Sequence, residues 1–138
     1  MIYYNYETEF KLNDEKGISQ WITNTIQEEN CTLEEVSYIF CDDAYLLEKN
    51  IKYLNHNTLT DIISFDYSVG KTISGDIFIS IERVTENAKT YNVSFKDELQ
   101  RVIIHGILHY CGYKDKNESD KKEMRKKENY YLNILLES

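Results

Sequence analysis

His105-Gly106-Ile107-Leu108-His109-Tyr110-Cys111-Gly112-Tyr113-Lys114-Asp115 holds two of the chain's three histidines, four residues apart, and a carboxylate six residues beyond the second. Residues at i and i+4 share a helix face, with Cβ atoms roughly 5–6 Å apart, so both rings can reach one cation. Gly112 is the residue type that ends a helix in the left-handed conformation, and the chain beyond it can return a carboxylate to the rings. Three protein ligands with one coordination position open is the donor count of a catalytic zinc site rather than a structural one. His105, His109 and Asp115 are therefore the candidate metal ligands, with one Zn2+ per chain expected and His105 also the candidate catalytic residue. The same donors suit iron, nickel or manganese. The pattern points to a metal-dependent hydrolase. In the peptidase version of this spacing a glutamate follows the first histidine as general base; here Gly106 stands there, which disfavours peptide hydrolysis. A glycine inside a helix costs roughly 0.5–1 kcal/mol relative to alanine, so close approach of a neighbouring element is expected at Gly106.

The helix bearing these histidines decides the fold. Ser94 is a good N-cap, with Asp97 three residues on, close to a capping box. Leu99, Val102, Ile103 and Gly106 fall on one side and Ile104, Leu108 and Cys111 on another, so the helix is apolar nearly all round and belongs in the core. Working outward, residues 2–10 predict a strand, 15–29 an amphipathic helix (Ile18, Trp21, Ile22, Ile26), 35–41 a strand, and a helix capped by Asp42 or Asp43 runs to Leu54. A polar loop over 55–58 follows, then strands over 61–67 and 75–81 with a turn near Gly70. Residues 82–91 and 119–136 predict two more helices, the last with Met124, Tyr131 and Leu135 on one face. A tight hairpin beside helices gives an α+β class: one domain over 1–138, about four strands in a mixed sheet and about five helices.

At 138 residues, with 41% apolar and 29% charged residues, the composition is that of an ordinary globular domain. No apolar run approaches the ~20 residues of a membrane span, and the N-terminal residues lack a basic leader and apolar core, so the expected location is the cytoplasm. Cys31, Cys41 and Cys111 are odd in number and form no close pair, which argues against a disulfide framework; Cys111 reads as a core residue. Net charge is −8, yet residues 114–127 carry seven cations against four acids, a net of +3 that leaves −11 for the remainder. That segment is either a solvated helix face or a phosphate-contacting patch.

Residues 105–115 resemble the signature of the YbeY family, HGxLHLxGYDH. Thr60-Asp61-Ile62-Ile63-Ser64-Phe65 is similar to the family's TDVLSF, and Gly75-Asp76-Ile77-Phe78-Ile79-Ser80 to its GDIxIS. Asn50-Ile51-Lys52-Tyr53 fits the segment before them, and Met124 and Glu128 suit its last helix. The resemblance implies a single-strand-specific, zinc-dependent endoribonuclease acting in small-subunit (16S) rRNA maturation and ribosome quality control. Its partners would be rRNA, a small-subunit ribosomal protein and a ribosome-associated GTPase. The alternative is an assembly factor that keeps the metal and does no chemistry. His105 and His109 match the family's first two ligands; Asp115 stands where the family usually has histidine. Leu54 stands where the family generally has an arginine thought to act on RNA, with Lys52 and Lys114 as candidate substitutes and His56 near the cleft. Asp61 and Asp76 are candidates either for orienting a ligand histidine or for capping turns. Ser64 has no base beside it.

The purified chain should carry about one divalent ion, and His109→Ala should lose it, because two ligands rarely hold a labile ion; elemental analysis showing unchanged metal in that variant would break the assignment.

Overall fold

The computed structural model describes residues 1–56 and 58–137; of the polar loop expected over 55–58, Asn57 lies outside the described residues. The chain runs β1 (Ile2–Tyr6), α1 (Glu15–Glu28), β2 (Thr32–Cys41), α2 (Asp43–Leu54), β3 (Ile62–Asp66), β4 (Thr72–Ser80), α3 (Ile81–Tyr91), α4 (Phe95–Tyr110) and α5 (Glu118–Glu137). Among the described residues this is a single α+β domain with four strands and five helices, as the periodicities predict. The four strands form one mixed sheet in the order β1-β2-β4-β3. β2 is parallel to both β1 and β4, while β3 lies antiparallel on β4 with Ile62 opposite Ile79 and Asp66 opposite Gly75.

Strand boundaries shift from the sequence expectation for identifiable reasons. β1 stops at Tyr6, after which Phe10 turns inward to pack against Tyr6, Phe40 and Phe95. β2 and β4 each begin three residues earlier than expected, Thr32 opposite Thr72, with an irregularity between Leu33 and Glu35. That irregularity breaks the apolar alternation by which the start of β2 would be read. Helix starts follow their caps: Asp14, Asp42, Ser80 and Ser94 each accept a backbone N–H three residues on, satisfying donors a helix N-terminus leaves free.

The two sheet faces carry different cores. Ile73, Ile77, Ile79, Val36, Tyr38 and Phe40 meet α1 and α4 in the main core, while Cys41, Ile63 and Leu46 form a smaller cluster under α2. Ile103, Ile104, Ile107 and Leu108 are wholly buried, as the all-round apolar helix requires. Gly106 permits its close packing: a Cβ there would stand 2.9 Å from Ile77 Cδ1 and 3.3 Å from Ile62 Cδ1. The buried Tyr38 hydroxyl donates to the Ile103 carbonyl at 2.9 Å. Tyr110 fixes the other end of α4, its hydroxyl 3.0 Å from each of the Phe65 and Asp76 carbonyl oxygens. It reaches them because Gly75 presents no side chain; a Cβ there would run into Tyr110 and the Phe65 carbonyl.

Gly75→Val should therefore destabilise the fold by about 1–3 kcal/mol, the usual cost of overpacking, read as a lower midpoint in chemical denaturation; an unchanged midpoint would mean that α4 is not held against β3 and β4 at this point.

Candidate metal centre

Every third or fourth residue along one face of α4 is polar: Glu98, Arg101, His105 and His109. Packing the apolar faces against sheet and helices leaves this line to open into a cleft of about 510 Å3, whose walls include Thr60, Asp61, Ile62 and Ser64 from the β3 side and Lys121, Met124, Arg125 and Glu128 from α5. Helix α4 ends as the glycine signal predicts. Gly112 has φ +112°, its N–H donates to the His109 carbonyl, and the Tyr113 N–H donates to the Leu108 carbonyl, both at 3.0 Å. This paired closure turns the chain back and delivers Asp115 to the histidines.

Asp115 Oδ2 lies 3.3 Å from Nε2 of His105 and 3.3 Å from Nε2 of His109. The two rings are nearly perpendicular, 4.6 Å between centroids, and the donor atoms of all three residues fall within 4.8 Å of one another. The group could hold one metal ion. Its donor chemistry fits a cation: His105 Nδ1 stands 2.7 Å from Glu128 Oε2, and when Nδ1 carries the proton donated there, Nε2 is left as an acceptor facing the Asp115 carboxylate. Two such acceptors facing each other call for a cation between them.

Glu128, which the sequence sets on the last helix without a role at the site, is the partner behind His105. Its side chain is buried, and its second oxygen accepts from Arg101 Nη1 at 3.0 Å. Burial alone would raise the Glu128 carboxyl; the His105 bond and charge, with Arg101 and Arg125, hold it below its ordinary value. Burial would likewise lower His105, but the Glu128 bond and the charges of Glu128, Asp115 and Asp61 leave its pKa raised. Asp61 and Asp76, the earlier candidates for this orienting role, do other things. Asp61 lines the cleft, its carboxylate accepting from the backbone N–H groups of Asp61 and Ile62 and standing 3.5 Å from Asn87, which is the turn-capping role, and Asp76 pairs with Tyr67. The signal for Glu128 was present: it interrupts the apolar face formed by Met124 and Tyr131 with a charge.

A second carboxylate braces the turn. Glu29, at the end of α1, accepts the Tyr113 hydroxyl at 2.7 Å, the Tyr131 hydroxyl, and Lys127 Nζ at 3.3 Å. Burial would raise its pKa; these three partners lower it. Lys127 is thus committed to an internal ion pair, so the basic segment divides. Lys121 and Arg125 line the cleft, together with Arg101 from α4, while Lys52, Lys114 and His56 lie outside that lining. Leu54 is an exposed residue at the end of α2.

Fold and cleft together define an α+β protein with a candidate metal centre on a buried helix. Residues 3–136 match the family model described as Endoribonuclease YbeY, and the chain belongs to that family. It is 60% identical over 128 residues to Endoribonuclease YbeY of Flavobacterium johnsoniae, covering 93% of this chain and 92% of the relative. It is 56% identical over 135 residues to the protein of the same name from Flavobacterium psychrophilum, covering 98% and 96%. Its fold is similar to the solution structure of TM1509 from Thermotoga maritima, with a TM-score of 0.73 at 25% identity, over 98% of this chain and 89% of that one.

Glu128→Gln should weaken metal binding about 10–100-fold, the usual cost of losing the partner behind a ligand histidine, measured by competition with a chelator; wild-type affinity in the variant would reduce Glu128 to a packing residue.

Proposed function

We propose that this chain is a zinc-dependent endoribonuclease that cuts single-stranded RNA in maturation of the small-subunit rRNA, with residues 1–138 forming one metal-hydrolase domain that works in the cytoplasm. The observation that carries the reading is the His105–His109–Asp115 cluster at the floor of a cleft lined by three cations, Arg101, Lys121 and Arg125. Family membership supports it, since the relatives bear the name of an endoribonuclease. The 3.3 Å separations between Asp115 Oδ2 and each histidine Nε2 support zinc: ligands at about 2.0–2.1 Å from a tetrahedral ion stand about 3.3 Å apart. When bound, such an ion lowers the pKa of its water and polarises a phosphoryl oxygen.

The chain's own groups do the rest. His105, His109 and Asp115 hold the ion, and Glu128 fixes the His105 ring so that Nε2 faces it. Arg101 is tied to Glu128 and Asn129, which gives it a fixed position for a planar, two-pronged contact with phosphate. Arg125 is largely exposed beside the same carboxylate and adds a mobile charge at the cleft mouth. These cations stand in for the arginine that Leu54 replaces. No helix among the described residues is long and apolar enough to cross a membrane. A small-subunit ribosomal protein and a ribosome-associated GTPase complete the proposed partners.

Zinc-loaded protein should cleave a single-stranded RNA, and His109→Ala should abolish cleavage together with its metal. Replacing both Lys121 and Arg125 by Gln should flatten the slope of log affinity against log salt by about 1.4, from roughly 0.7 per phosphate contact on single strands. Metal-loaded wild-type protein that binds RNA without cutting it would make the chain a non-catalytic assembly factor, and an unchanged salt slope would move the RNA path away from α5.

A further inference from the structure

Glu98 stands seven residues before His105 on α4, which places it on the same helix face about 10 Å further along the axis. It is only 5% exposed, and it lines the cleft. Among the described residues no hydrogen bond or ion pair reaches its carboxylate. Its carboxylate oxygens open onto the cleft rather than being sealed in the core: among the described residues Arg83 Nε is the buried side-chain polar atom left without a partner. Glu128, on the neighbouring helix, is held by His105 and Arg101. The charged groups nearest Glu98 are Asp61, Arg101, Arg125 and Glu128, and burial together with the Asp61 charge raises its carboxyl above the ordinary value. At about 10 Å along the helix from the metal ligands, Glu98 sits too far away to act on a metal-bound water. It repels phosphate. Facing the cleft, it can accept N–H or O–H donors brought by whatever enters there.

Tyr91, the last residue of α3, lines the same cleft with 60% of its surface exposed. An exposed ring and an unpartnered acceptor lining one cleft supply the two kinds of contact by which single-stranded RNA is read: bases stack on aromatic side chains and hydrogen-bond along their Watson–Crick edges. The choice of base follows from donor geometry. Guanine presents two adjacent donors, N1–H and the N2 amino group, which match the two oxygens of one carboxylate. Cytosine and adenine offer one donor beside an acceptor, and uracil offers one N–H between two carbonyls.

We propose that Tyr91 and Glu98 form a nucleobase subsite for guanine, in the nucleotide that flanks the cut phosphate, with the base stacked on Tyr91 and its N1–H and N2–H groups donated to Glu98. The subsite rests on the reading of the chain as an RNA enzyme.

The test measures affinity, by fluorescence anisotropy, for oligouridine hexamers carrying one guanosine, inosine, adenosine or cytidine. Two charge-assisted hydrogen bonds predict at least about tenfold tighter binding of the guanosine oligomer than of oligouridine. Inosine, which lacks the amino group, should fall between them. Glu98→Gln should bring the guanosine oligomer to within about threefold of oligouridine, and Tyr91→Ala should weaken all the oligomers. The comparison of bases on wild-type protein stands even if a variant fails to fold. Equal binding of all oligomers, or a guanosine preference that survives in Glu98→Gln, overturns the subsite. Cleavage without base preference would keep the nuclease reading and remove the subsite; guanosine preference without cleavage would do the reverse. No binding of any oligomer would remove both.

Discussion

The burial of α4 is the constraint from which the rest follows. Its apolar residues cover more than one face, so it is stable only between the sheet and other helices. Gly106 lets it sit against Ile77 and Ile62, and Gly75 lets Tyr110 bond to the β3–β4 pair. Both glycines give up side-chain packing so that backbone and ring can approach. With three sides covered, the one polar line of the helix, from Glu98 to His109, has only the cleft to face. The candidate metal centre is thus an outcome of how the core closes.

The third candidate ligand is placed by different physics. Asp115 sits in a connection between helices, where no backbone ladder fixes it, and it is the most exposed of the three candidates. Two devices restrain it. The paired hydrogen bonds at Gly112 set the direction of the turn, and Glu29 holds Tyr113, two residues before the ligand, from the far side of the fold. Glu29, half-buried, and Glu128, buried, are alike in being acidic residues set among partners that a single side chain could not supply. Each draws on donors from distant parts of the sequence. Charged hydrogen bonds of this kind are strong when complete and costly when one partner is removed, which makes the two carboxylates fixed points rather than surface charges.

The legible part of this structure is the part encoded at short range. The i, i+4 histidines, the Ser94 cap, the Gly112 stop and the apolar period of α4 each follow from a few neighbouring residues, and each stands in the structure where it is expected. Strand ends are less legible, because pairing sets them: Thr32 and Thr72 join the sheet only because each finds the other. Least legible are the partners across the fold. Nothing within ten residues of Glu29 announces Tyr113, Tyr131 and Lys127, and Glu128 is linked to His105 across a separation of 23 residues. The same distance effect explains the cationic residues. Lys52 and Lys114 are near the site in sequence, yet the cleft takes Arg101, Lys121 and Arg125, because the packing of α5 against α4 decides which charges face inward.

Charge balance at the cleft gives Asp115 its particular consequence. An aspartate as the third candidate ligand adds one negative charge beside a site that already holds Glu128, Asp61 and Glu98. A polyanion approaching such a site meets repulsion that falls off slowly in a partly buried cleft. Arg101 offsets Glu128 directly, and Lys121 and Arg125 add positive charge to the cleft wall. The chain as a whole is strongly acidic, so these few cations have to act locally. Their placement on α4 and α5, the helices that also supply the two histidines and Glu128, ties phosphate attraction to the same rigid unit as the candidate ligands. An anionic strand drawn in by these cations therefore meets the candidate ligands from a direction that the α4–α5 pair sets.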